Sequence, residues 1–222
     1  MAYSLIRWAH VLVMGYWLGS ELVINAVSHY VVHATSLSGK ERIRLWDFVL
    51  DVDQHVRNAM IVSVPLGFTL AAYLGVSPIT GGWLLGLWIA SALWLWFMWL
   101  VHLRRKLPSG PILAHWDWRI RYVLVAAFAS AGAWSLATGR PFSARWLALK
   151  LVLFAMAISC GLAVRYYVRV AYAGALPAIA ADRAGTAENE LFRIAINKAT
   201  WVLVCLWVLL FSIGALGALK PF

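Results

Sequence analysis

Residues 81–102 read GGWLLGLWIASALWLWFMWLVH, 22 positions without a charge. A bilayer core about 30 Å thick is crossed by about 20 apolar residues in an α-helix, so this stretch is a membrane span. Working outward, five further apolar blocks lie at about 4–34, 57–76, 119–138, 144–174 and 198–218. Lipid offers the backbone no hydrogen-bond partner, and the alternating pattern of barrel strands is absent, so all six are expected to be helices. The first and fifth exceed the length that a bilayer requires, and their ends should project or tilt. The expected fold is therefore an all-α integral membrane bundle of six spans, one transmembrane domain over 1–222.

Composition agrees with that reading. The chain is 63% hydrophobic and 13% charged, against about 45–50% and about 25% in soluble domains. A soluble enzyme, a disordered chain and a disulfide-built secreted domain are excluded. Cys160 and Cys205 sit inside apolar blocks and form no disulfide framework. No removable signal is expected, because Glu21 interrupts the first apolar block and no small-x-small site follows.

The net charge of +10 would suggest nucleic acid in a soluble protein; here it points to cytoplasmic loops and no nucleic-acid partner. Fourteen of the 19 Lys and Arg fall near 35–56, 103–118 and 175–197 or on the adjoining helix ends. The other side has Arg7, Arg140, Arg145 and Lys220, and Lys150 lies inside the fifth block. The asymmetry makes the basic side cytoplasmic and places both termini in the periplasm of a bacterial inner membrane. Ser38-Gly39-Lys40-Glu41 has the form of a capping box. Ile43, Trp46, Val49 and Leu50 follow at helical spacing, so an amphipathic helix lying at the interface is expected between spans 1 and 2.

Ionisable groups inside spans are costly and mark interiors or cavities. Span 1 carries His10, Trp17, Glu21, Asn25, Ser28, His29 and His33. At about 100° per residue these form one polar stripe, read as lining a ligand or cofactor. His29, His33, His55 and His102 lie near the cytoplasmic ends of spans 1, 2 and 3. Imidazoles on facing helices can ligate iron or copper from opposite sides. Arg57, Arg104 and Arg105 at the same level suit haem propionates, and Asp51 could orient His55. Any single interfacial histidine is ordinarily just solvated, which is the reading for His115; four at one depth favour a site. No Cys-x-x-Cys-His is present, which excludes covalent c-type haem. Five Met and two isolated Cys weaken a soft-ligand copper path. Haem b is the favoured cofactor and copper the alternative.

Trp8-Ala9-His10, Trp17-Leu18-Gly19 and Ser28-His29-Tyr30 resemble the opening helix of the HemJ-type membrane protoporphyrinogen oxidases and the copper-resistance D (CopD) membrane proteins. Arg145-Trp146-Leu147-Ala148-Leu149-Lys150-Leu151 is similar to their Trp-x-x-x-Lys-Leu segment. The resemblance covers two spans of six. It implies haem b, with the essential His and Lys of the HemJ-type family falling on His10 and Lys150. Glu21, Asn25 and Ser159-Cys160-Gly161 stand where that family's pattern has other residues.

Together these observations lead to a haem b-binding inner-membrane protein of electron transfer or redox chemistry. Its iron would be held by two of His29, His33, His55 and His102, with Glu21, Asn25 and the arginines lining the cofactor. A second site near His10 and Lys150 would be added. A quinone or another redox protein is the expected partner, beside membrane lipid. The alternatives are HemJ-like tetrapyrrole oxidation, copper movement through His10, Met14, Glu21 and the inner histidines, and a non-catalytic subunit or oligomer that packs its polar stripe on another chain.

Overall fold

The computed structural model describes residues 1–220. The chain folds into α1 (Ala2–His33), α2 (Gly39–Tyr73), α3 (Gly81–Leu103), α4 (Gly110–Thr138), α5 (Arg145–Gly174), the five-residue α6 (Leu176–Ala180) and α7 (Thr186–Leu219). All but α6 are long and apolar enough to cross a membrane. This is a multi-pass helical membrane protein.

The long helices close a ring in the order α1, α2, α3, α4, α5, α7 and back to α1. Half of the apolar window of α2 is buried, against 11% for α3. So α2 is the most buried member of the ring, while α3 turns Trp83, Trp96 and Leu93 outward. Those exposed side chains are what a lipid-facing helix requires. At the α4–α5 seam a Cβ on Gly132 would stand 2.7 Å from the Ala148 carbonyl oxygen. The missing side chain lets the backbones approach, which is how helices gain contact where lipid competes equally for apolar surface.

Three helices start well before their apolar blocks. Whereas the sequence suggests spans from 57, 119 and 198, α2, α4 and α7 begin at Gly39, Gly110 and Thr186. Each extension carries charges paired at helical spacing: Asp53 with Arg57, Asp117 with Arg121, Glu190 with Arg193. Such pairs support a helix without raising its hydropathy. His115, expected in a loop, is an exposed residue of α4.

The capping box forms as expected. Ser38 Oγ accepts from the Glu41 amide, and Glu41 accepts from the Ser38 amide at 3.0 Å. It opens one unbroken helix of 35 residues, so the segment after it is no separate interfacial element. Trp46 and Val49 are buried against protein and not against headgroups. The Trp46 ring meets Phe192 of α7 edge-on, 5.2 Å between centroids. Arg42, one of the expected loop cations, is 4% exposed. Its Nε donates to the Val31 carbonyl at 3.1 Å and its Nη1 to Asn189 at 2.8 Å, tying the end of α1 to α7.

Candidate functional site

The polar stripe of α1 faces inward: Trp17, Glu21 and Ser28 are buried, and His10, Asn25 and His29 half-buried. It runs past two cavities, with Trp17 lining both.

The larger cavity, of about 670 Å³, lies at the end of the bundle that holds the termini, among α1, α2, α4, α5 and α7. Apolar side chains such as Leu18, Phe68, Phe128 and Phe154 wall it. The His10 ring lies against the α2 backbone, where a Cβ on Gly67 would meet its Cε1 at 3.4 Å, an ordinary contact. The His10 Nδ1 is buried without a hydrogen-bond partner. Lys150 enters from α5, its Nζ 2.7 Å from where a Gly217 Cβ would stand. The Trp146 ring has Lys150 Nζ at 6.0 Å and Lys220 Nζ at 5.8 Å from its centroid. Arg7 completes a lining whose formal charges are all positive. His10 and Lys150 thus line the same cavity. Arg7, Lys220 and the apolar walls carried no sequence signal beyond their place near span ends.

The smaller cavity, of about 110 Å³, lies in the basic half of the bundle. Glu21, Asn25, Asp53, Arg57, Arg121, Arg165 and Thr200 line it among apolar residues. Asp53 pairs with Arg57, and Asp117 takes both Arg121 and Arg165. The Arg121 side chain is 4% exposed and that of Asp117 1%. Arg121 turns its terminal nitrogens to thioethers, Met60 Sδ at 3.5 Å and Met98 Sδ at 4.0 Å. Arg57 Nε and Arg165 Nη2 are buried donors without acceptors. From sequence alone Arg121 and Arg165 count as solvated flanks. The i, i+4 spacing of Asp117 and Arg121 is the signal that could show otherwise.

The four inner histidines do not converge. His29 Nε2 is 2.8 Å from Thr200 Oγ1 on α7. His33 is exposed, its Nδ1 bonded to the His29 carbonyl, and its ring stacks on that of His29. His55 is exposed and hydrogen-bonded to the Tyr16 hydroxyl. At the end of α3, His102 lies 3.0 Å from Arg105 Nη1 and 3.5 Å from Asp51. A guanidinium against both ring nitrogens is a poor neighbour for a metal cation. Arg105 is held by Asp51 and Asp47, and Arg104 is exposed in the turn after α3. Arg57 lines the smaller cavity and is engaged by Asp53. Met98, one turn before His102 on α3, is turned to Arg121. Among the described residues no three His, Cys, Asp or Glu are grouped to hold a metal ion.

No family model, curated protein or solved structure matches the chain.

Proposed function

We propose that this protein binds haem b in the larger cavity and serves redox chemistry in a bacterial inner membrane, both termini periplasmic. The observation that carries the reading is the unpartnered His10 Nδ1 beside a large apolar cavity whose charged lining is cationic only. A planar apolar ring bearing carboxylates is complementary to such a site: aromatic and aliphatic walls for the ring, Arg7 and Lys220 for the acids, an imidazole for the metal. Its volume falls in the usual range for ligand sites, about 300–1,000 Å³. When bound, haem would supply one-electron transfer. The chain's own contribution is to present the His10 ring to the cavity with no competing protein partner at Nδ1, exclude water through Phe68, Phe128 and Phe154, and anchor acidic groups at the rim. A quinone or a redox protein is the fitting exchange partner.

Tetrapyrrole oxidation is the second reading, favoured by Lys150 standing in the same cavity as His10. A copper path gains less, since the inner histidines meet protein donors and acceptors instead of one another. The test is the visible spectrum of protein purified from haem-supplemented cells. A Soret band in the wild type and its loss in His10→Ala are expected. A colourless wild type would overturn the haem reading.

A further inference from the structure

Glu21 is the one carboxylate of the smaller cavity that has no ion pair among the described residues. It is 6% exposed, deep in a span. Around it stand Asp53 and Arg57 from α2, Arg121 with its partner Asp117 from α4, and Arg165 from α5, while α7 presents Thr200 as its polar group. Three guanidiniums thus face two paired carboxylates, and Glu21 is the third acid that decides whether the buried cluster is neutral or carries one positive charge. The cavity beside it has room for several waters at about 10–15 Å³ of probe-occupied volume each.

From this cavity a hydrogen-bonded line leads to the basic end. Thr200 Oγ1 donates to Asn25 Oδ1 at 2.8 Å, and the His29 ring Nε2 stands 2.8 Å from the same hydroxyl. His33 follows one turn on and is exposed. In the other direction the path stops at Trp17, 3% exposed, the partition between the two cavities.

We infer that Glu21 is a proton-exchanging group fed from the basic end of the bundle through His29 and Thr200, and closed toward the larger cavity by Trp17. A proton reaching His29 Nδ1 releases the one on Nε2 to the Thr200 oxygen. The hydroxyl turns its own proton from Asn25 Oδ1 to cavity water, and that water protonates the Glu21 carboxylate. The reverse sequence returns it, with no electron moved and no bond made beyond O–H and N–H. Intramembrane carboxylate and histidine chains of this kind are the usual material of proton relays. The inference is independent of what the larger cavity holds.

The test is infrared difference spectroscopy of the full chain in oriented proteoliposomes, following the carboxylic-acid carbonyl stretch through pH jumps on either side. The wild type is expected to show a titrating carboxyl band that Glu21→Gln removes and Glu21→Asp moves in frequency. The band should change faster after a jump on the side bearing His33 than after one on the opposite side. Thr200→Val should slow that change about tenfold, the equivalent of one lost hydrogen-bond link, while keeping the band. Glu21→Asp keeps the test decisive if Glu21→Gln fails to fold. A band untouched by both Glu21 variants, a change as fast or faster from the opposite side, or an unaltered rate in Thr200→Val would each overturn the relay. None of these outcomes depends on a bound chromophore, so failure here and a colourless protein remain separate results.

Discussion

Lys150 on α5 lays its ammonium across α7 at Gly217, 2.7 Å from where a Cβ would stand. The lysine reaches the cavity only because α7 has no side chain there. The obstructing atom is the free end of a flexible chain, so Gly217→Ala should move the amine and leave the helices in place. Ala also favours a helix by about 1 kcal/mol over Gly. Thermal unfolding in detergent should therefore be unchanged or slightly raised, while the spectrum of a bound chromophore shifts. A large loss of stability would show that the α5–α7 backbones, and not the amine, fill the gap.

Asp117 is the shared acceptor of two arginines from different helices, buried to 1%. Removing one member of a buried ionic group leaves uncompensated charge and costs about 3–5 kcal/mol. Asp117→Asn is expected to lower unfolding stability by that order, because an amide keeps the shape but not the charge. A change below about 1 kcal/mol would mean that Asp53 or water accepts both guanidiniums.

What is legible in the sequence divides by physical cause. Hydropathy finds the six spans because lipid-facing surface must be apolar all round, and Trp83 and Trp96 on α3 show it directly. The inward stripe of α1 is legible because polar groups in lipid have nowhere else to go. Both failures come from charge. A run such as Asp117-Trp118-Arg119-Ile120-Arg121 looks like a solvated loop to a hydropathy scale. Only packing against α2 and α5 reveals that Asp117 and Arg121 are core. The inner histidines mislead for the same reason: the charged start of α2 hides the helix before position 57, so His55 meets Tyr16, about 20 Å along α1 from His29. His29 and His102 face Thr200 and Arg105.

Those partners lead to an ordering of spectra. In haem-supplemented cells His10→Ala should lose the Soret band, and Lys150→Ala should weaken or shift it. His33→Ala, His55→Ala and His102→Ala should keep it, since their rings bond to the His29 carbonyl, Tyr16 and Arg105 outside the cavity. Loss in His102→Ala with retention in His10→Ala would return the site to the basic end.

At the start of α2, the Ser38 hydroxyl and amide hold the Glu41 carboxyl below its ordinary range. A carboxyl whose folded value is depressed contributes stability above its unfolded value and loses it as pH falls through the folded one. Ser38→Ala should cost about 1 kcal/mol at neutral pH, the usual worth of such a cap. The difference between variant and wild type should narrow as Glu41 protonates in acid. Unfolding midpoints measured across that range check it; a gap constant with pH would separate the cap from the Glu41 charge.

Topology is open to the same kind of check. Arg42, Arg57, Arg121 and Arg165 are engaged inside the protein, so they are weak markers of a solvated loop. Discounting them leaves Lys40, Arg44, Arg104, Arg105, Lys106, Arg119, Arg169, Arg183, Arg193 and Lys198 at the basic end. The other end has Arg7, Arg140, Arg145 and Lys220. The bias survives the correction, and orientation follows Lys and Arg in short loops close to span ends. A periplasm-only reporter joined after Phe222, which lies outside the described residues, should therefore be active, and a cytoplasm-only reporter there silent. Fusion in the turn at Leu107 should give the opposite pair. Activity of the cytoplasmic reporter after Phe222 would invert the molecule, open the larger cavity toward the cytoplasm and put the mouth of the Glu21 path in the periplasm.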